Sequence, residues 1–164
     1  MNQYKTLEGQ TVNTITDITG VVLVAEVINE NDGTIVTTAS DSNSVYIEET
    51  NQFGQVSLST YEKELIRVRR AIRGQWQYTG IAVPTKTLTR IANMGVGAGT
   101  AALASIFGIS IASVNAILSD VGGWSFGELL GQALDRNGNG WVGLYKRTVQ
   151  QYPNGPIGYE HKTE

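Results

Sequence analysis

The hydrophobic and polar positions first follow a strand-like pattern. Residues 15–28 (ITDITGVVLVAEVI) are rich in β-branched side chains, with a glycine in the middle. That composition predicts strand. Residues 29–33 (NENDG) end in Asp-Gly, the short-range hairpin signal. Residues 34–38 (TIVTT) form the returning strand, residues 39–44 a second polar turn, and residues 45–49 (VYIEE) another strand. A turn at 51–54 and a short strand at 56–59 follow. The alternation within TIVTT and VYIEE leaves one face wet, which predicts an antiparallel meander. Residues 1–14 are polar and are expected to carry little local structure.

Residues 59–73 satisfy two periods at once. Tyr61, Leu65, Val68 and Ile72 share one helical face. Ser59 or Thr60 can cap, Glu62 and Glu64 sit in the first turn, and Arg69, Arg70 and Arg73 sit in the last, with Gly74 beyond. Those end signals predict a helix. Ile66, Val68 and Ile72 also keep the parity of Trp76 and Tyr78, which suits a strand. Residues 75–83 (QWQYTGIAV) predict a strand that Pro84 ends.

The pattern then becomes uniformly apolar. Residues 91–119 hold no charged side chain, and Gly, Ala and Ser dilute the Ile, Leu and Val. About 20 apolar residues suffice to span a bilayer, so length alone allows a membrane role. Gly108-Ile109-Ser110 interrupts the run. Gly108 suits the left-handed position past a helix end, and Ser110 suits the cap of a second helix. A helical hairpin follows, with helices near residues 99–107 and 111–121 and Gly108 and Ser110 as its structural hinge. Gly122-Gly123 stops the second helix. A third covers residues 125–134, with Ser125 as cap and Glu128 at the capping-box position. Gly95 and Gly99 are four apart, as are Ala104 and Gly108, a spacing that lets helix backbones approach closely. A helix apolar all round is a deep core or a membrane element, so these four residues mark a packing face in either case.

Asp135, Asn137, Asn139 and Gly140 follow the order that opens an EF-hand calcium loop. A bidentate Glu belongs at the twelfth position, and Lys146 stands there instead. Asp135, Asn137 and Asn139 are therefore a weak calcium candidate beside a glycine turn. Trp141–Gln150 predicts a strand returning to the sheet, Asn154-Gly155-Pro156 a turn, and the tail is polar. The fold class is α+β: an antiparallel sheet, made of the meander and a C-terminal strand, packed on a Gly/Ala-rich helical hairpin. One domain is expected, mainly β over residues 1–90, helical over 91–134, with a returning strand and tail over 135–164.

The net charge of −3 conceals an asymmetry: −7 over residues 1–60, +5 over 61–90, −2 over 91–134 and +1 over 135–164. Opposite charges of this kind can attract within a chain or between copies. The chain has no cysteine, which excludes disulfides, thiolate metal sites and a Cys nucleophile. Its one histidine, His161, lies near the end, where a solvated residue is expected. Gly95-Val-Gly97-Ala-Gly99 misplaces the third glycine of a dinucleotide loop, and no phosphate-binding Lys follows. The carboxylate pairs Glu48/Glu49 and Glu62/Glu64 fall on expected surface. No enzyme activity and no cofactor is expected.

Residues 104–118 (ASIFGISIASVNAIL) resemble the helix-turn-helix signature of bacterial repressors, with Ala on the first helix, Gly-Ile-Ser at the turn and Val on the second. A recognition helix presents Arg, Lys, Asn or Gln to base edges. Here only Ser113 and Asn115 are polar, so the likeness covers the turn and nucleic acid is not an expected partner. The wider layout is a β-rich first half, a WQYTG strand, an uncharged hairpin with a Gly-Ile-Ser turn, and NGNGW before a last strand. It resembles a loose group of small exported proteins of Gram-positive bacteria, some described as bacteriocin-like. The resemblance implies a secreted or cell-surface protein. Met1-Asn-Gln-Tyr-Lys shows no signal peptide, so a mature form is expected, with a cytoplasmic place left open. The leading expectation is a non-enzymatic structural or self-assembling protein, a homo-oligomer or filament subunit of an extracellular or surface assembly. The alternatives are a membrane-active bacteriocin-like toxin inserting residues 91–121, and a helix-turn-helix DNA-binding protein.

Overall fold

The computed structural model describes residues 1–64, 74–121, 128–150 and 156–164. Six strands, β1 (Asn2–Lys5), β2 (Gln10–Thr16), β3 (Val22–Asn29), β4 (Ile35–Ser40), β5 (Ser44–Thr50) and β6 (Val56–Glu62), pair in chain order as one antiparallel meander. A second, three-stranded sheet is formed by β7 (Gln77–Pro84), β8 (Trp141–Gln150) and β9 (Ile157–Thr163). Four helices, α1 (Thr85–Ala92), α2 (Val96–Phe107), α3 (Ile111–Asp120) and α4 (Glu128–Leu134), lie between β7 and β8 in the chain. The class is the expected α+β.

Four successive meander turns use the same local chemistry. Asp17, Asn29, Asp41 and Asn51 each accept the backbone N–H of the residue two positions on, at 2.7–3.0 Å. Such side chains imitate a turn's own backbone acceptor. Asp32 repeats the device on Thr34 beside Gly33. These bonds hold the Asp17, Asp32 and Asp41 carboxyls below their ordinary pKa, led by Thr19 and Thr34 hydroxyls for the first two and by backbone donors for Asp41. Part of the acidic excess of residues 1–60 is therefore turn-forming material.

One face of the meander is buried. Val12, Val27, Ala25, Val45 and Ile47 point into the core, and α2 lies over them. Every residue of α2 from Ala98 to Phe107 is buried. The central polar contact joins Thr38 Oγ1 of β4 to Ser105 Oγ of α2 at 2.5 Å. The Thr38 hydroxyl also lies 3.3 Å from the Ala102 carbonyl. A buried hydroxyl needs such partners. Tyr4 donates to the Gly97 carbonyl and the Gln10 amide to the Met94 carbonyl, fixing the first two strands against the start of α2. On its other sides α2 meets α1 and α3, which in turn lie on the second sheet.

The Gly108 corner has the expected geometry. Gly108 adopts φ 62° and ψ 42°, the left-handed conformation. Ile109 N–H returns to the Ala104 carbonyl and Gly108 N–H to the Ser105 carbonyl, which together form a Schellman cap. Ser110 then caps α3 by accepting from Ser113 N–H at 3.2 Å. The corner is fastened to the sheet, because Val22 N–H donates to the Ile109 carbonyl at 3.0 Å. It is a pinned corner rather than a free hinge.

Several expectations need correction. Residues 1–14 hold β1 and most of β2, whose Val12 and Thr14 are buried by α2 although their neighbours are polar. The strand expected over residues 15–28 is two strands, because Gly20 takes φ 83° in a tight turn closed on Asp17. Residues 59–62 continue β6 instead of opening a helix, since pairing with β5 and the Tyr61 contact beneath it outweigh local helix signals. The remaining helix signals at 65–73, and the expected stop at Gly122-Gly123 and cap at Ser125, lie outside the described residues. Helix α1 was not expected. It starts at once after Pro84 and buries Leu88 and Ile91. The C-terminal strand does not return to the meander: β8 pairs with β7 and β9, and the polar tail is β9 itself. Both ends are thus held by strands of their own chain.

Gly108→Val should destabilise the fold by roughly 1–3 kcal/mol, the range for a strained backbone position. A Cβ there would also lie 3.1 Å from Ser40 Oγ. Gly108→Asn should cost much less, since Asn tolerates the left-handed region. Thermal unfolding checks both, and an unchanged midpoint for the Val variant would contradict this reading of the corner.

Candidate interaction surfaces

Among the described residues, the two sheets present four edges, at β1, β6, β7 and β9. An edge strand carries unpaired backbone groups that can template another strand, and proteins usually guard it. Strand β1 is short and ends in Lys5. Strand β7 has an irregular register between Tyr78 and Ala82, contains Pro84, and gives its Gly80 carbonyl to Glu64 N–H at 2.9 Å. These two edges are poor templates.

Strand β6 is different. From Val56 to Thr60 it holds no charge, no proline and no register shift. Val56 and Leu58 are 61% and 63% exposed, and Phe53 in the preceding turn is 79% exposed. Antiparallel pairs alternate between hydrogen-bonded and open ones. The bonds Asn51 N–H to Gln55 carbonyl and Lys63 N–H to Asn43 carbonyl set the phase. They turn the backbone of residues 57, 59 and 61 toward β5, and that of Val56, Leu58 and Thr60 outward. Strand β9 shows the same coincidence. Gly143 and Glu164 exchange both backbone bonds. The backbone of residues 158, 160 and 162 therefore faces β8, and that of Ile157, Tyr159 and His161 faces outward. Ile157 and Tyr159 are 48% and 61% exposed.

Between α3 and the β9 end of the second sheet lies a groove of about 530 Å³. Trp76, Ser113, Asp120, Arg147, Tyr159 and His161 are among its lining. Its charges are already partnered. Arg147 reaches Glu160 at 2.7 Å and stacks 4.6 Å from the Trp76 ring. Lys146 lies 5.6 Å from the Tyr159 ring, and Asp120 pairs with Arg136 at 2.6 Å. Cations held on aromatic faces contribute to packing. Ser113 and Ser110 bond each other at 3.0 Å. His161 is half-buried rather than solvated, and its buried Nδ1 has no hydrogen-bond partner among the described residues. Burial first, and the nearby Lys146 charge second, hold its pKa below the ordinary 6.5.

The calcium candidate residues come together, but in a turn. Asp135 accepts from Thr85 Oγ1 at 2.8 Å and from Gly140 N–H at 2.9 Å. Asn137 accepts from Asn139 N–H, and Asn139 from Trp141 N–H. Their oxygens thus face donors of the chain itself. Among the described residues, no group of three or more His, Asp or Glu side chains is placed to hold a metal.

The packing-face residues are also placed. Gly99 and Ala104 are buried within α2, while Gly95 and Gly108 cap its two ends. Among the described residues, no helix is long and apolar enough to cross a membrane. The side of α3 that faces away from the core carries Ala112, Asn115, Ala116, Ser119 and Asp120, with no cation. The open edges are the feature that sequence reading missed. The uncharged stretch at 55–60 was visible, but which strands end a sheet depends on pairing.

No family model matches the chain, and comparison with curated proteins and with solved structures returns no match.

As the only histidine, His161 has an unambiguous ring-proton resonance. It should titrate below 6.5 in the folded protein. The unfolded state then binds more protons, so stability should fall as pH drops through 6.5 and level off below the folded value. The depressed Asp carboxyls add a separate loss at lower pH, below 3.8. His161→Gln should remove the first limb and leave the second. A titration at or above 6.5 would contradict the burial described.

Proposed function

We propose that this protein is a non-enzymatic structural protein that assembles with copies of itself, as a subunit of an extracellular or surface assembly. The observation that supports this most is the β6 edge, uncharged from Val56 to Thr60, with outward backbone groups and exposed Val56 and Leu58. Strand addition at such an edge gains main-chain hydrogen bonds, with side chains supplying specificity. The partnered state of the groove's charges favours a packing role over catalysis there. The extracellular setting rests on the layout resemblance to small exported proteins. The alternative, insertion of residues 91–121 into a bilayer, would require α2 to leave the sheet that buries it.

Light scattering over a concentration series, with negative-stain microscopy, tests the reading. Species larger than the monomer should grow with concentration. Replacing both Val56 and Leu58 by Lys should abolish them while leaving circular dichroism unchanged, because charged edges repel strand addition. A wild-type protein that stays a monodisperse monomer at high concentration, without filaments, would refute the proposal.

A further inference from the structure

The geometry points to a binding site for a small oxyanion, a carboxylate or phosphate group held by Lys146, His161 and Tyr159 in a hollow beside the Gly108 corner. The hollow measures about 340 Å³ and is lined by that corner, the Thr19 turn and the far ends of β8 and β9. It adjoins the larger groove and shares Ser113, Tyr159 and His161 with it. Small-ligand sites are concave in this way, with a few convergent polar groups. No residue of β6 lines the hollow, so the site is independent of the edge that supports self-assembly. Strand pairing brings the three holding groups together. Lys146 is the direct cross-strand partner of His161. Tyr159 precedes His161 by two residues and therefore shares its face. The Lys146 ammonium lies 5.6 Å from the Tyr159 ring. Val142 and Leu144 alternate onto the same face of β8 and are buried in the core, so that face is the one α3 packs against.

The chemistry of the lining sets the sign of the ligand. Lys146 is its one permanently charged side chain, and among the described residues no carboxylate pairs with it. In the adjoining groove Arg147 is held by Glu160, and Asp120 by Arg136. The Nδ1 of His161 is buried, so the ring meets the hollow through Nε2, which donates whenever it carries the proton. Tyr159 is 61% exposed, and its hydroxyl is open to a ligand. Ser110 and Ser113 use one hydroxyl proton on each other and keep the second. The acceptors nearby are engaged. Asp17 Oδ1 takes Thr19 N–H, the Thr19 hydroxyl and Val21 N–H within its own turn. The Ile109 carbonyl takes Val22 N–H. An unpaired ammonium, an imidazole and free hydroxyl donors, with no carboxylate in the lining, suit an oxyanion, because charge-assisted hydrogen bonds are the strong ones.

The His161 ring protons report the site directly. Around the ring stand Lys146 on β8, Tyr159 on its own strand, Asp17 in the Thr19 turn, Asp120 on α3 and the Arg147–Glu160 pair. Sodium phosphate and sodium acetate, each exchanged against sodium chloride at fixed pH and ionic strength, are the probes. At least one should shift the ring resonances along a saturating curve. Saturation by phosphate alone assigns a phosphoryl group, and saturation by acetate assigns a carboxylate. The bound anion should also raise the His161 pKa from its depressed value, since a nearby negative charge favours the imidazolium. Lys146 is exposed, so Lys146→Gln should keep the fold, as thermal melting verifies, and should abolish saturation. Lys146→Arg should retain it. Lys162→Gln should leave it unchanged, because that ammonium lies on the other face, over Trp76 and Tyr145. Shifts that grow linearly with both anions would overturn the site. Saturation that survives Lys146→Gln in the folded variant would overturn the assignment of its holding groups.

Discussion

The burial of α2 is the constraint on which the other elements depend. A twelve-residue helix of small and aliphatic side chains has no polar face to show to water. Such a helix must be covered all round. The meander covers it on one side, and α1 and α3 cover others. Its few hydroxyls each find a partner: Thr100 bonds back to the Val96 carbonyl, and Ser105 meets Thr38 of β4. A half-satisfied hydroxyl at that depth would oppose packing. The Thr38–Ser105 contact thereby fixes where along the sheet the helix sits.

Covering α2 also explains why there are two sheets. The meander presents one apolar face, and that face is occupied. The helices on the far side of α2 need a second apolar surface, which β7, β8 and β9 supply through Ile81, Val83, Val142 and Leu144. Trp141 meets Tyr61 edge-on at 6.5 Å, and Tyr61 bonds Thr87 at 3.1 Å, so the two sheets meet around α1. Among the described residues neither sheet closes on itself, which leaves strand edges at β1, β6, β7 and β9.

The parts legible in the sequence are those set by local chemistry. Gly108 and Ser110 declared the corner because a left-handed residue and a helix cap are requirements of one or two positions. The turns at Asn29, Asp41 and Asn51 were legible for the same reason. What could not be read depends on partners distant in sequence. Val12 and Thr14 are buried only because α2 arrives from far along the chain. Residues 59–62 carry helix signals, yet β5 extends them as a strand. The sequence 157–163 reads as a polar tail, but β8 pairs with it residue by residue. The Asp135–Asn139 stretch looks like a cation loop because turns and calcium loops use the same oxygens. Only the positions of Thr85 and Gly140 reveal which donors face them.

Hydrogen exchange measured residue by residue, with and without lipid vesicles, tests the burial of α2 most directly. Amides between Ala98 and Phe107 should exchange only through global unfolding, as slowly as the slowest in β3 and β4. Vesicles should leave those rates unchanged. Fast exchange in α2 while the meander stays protected, or a change in α2 exchange alone on adding lipid, would contradict a helix held as the core of this fold.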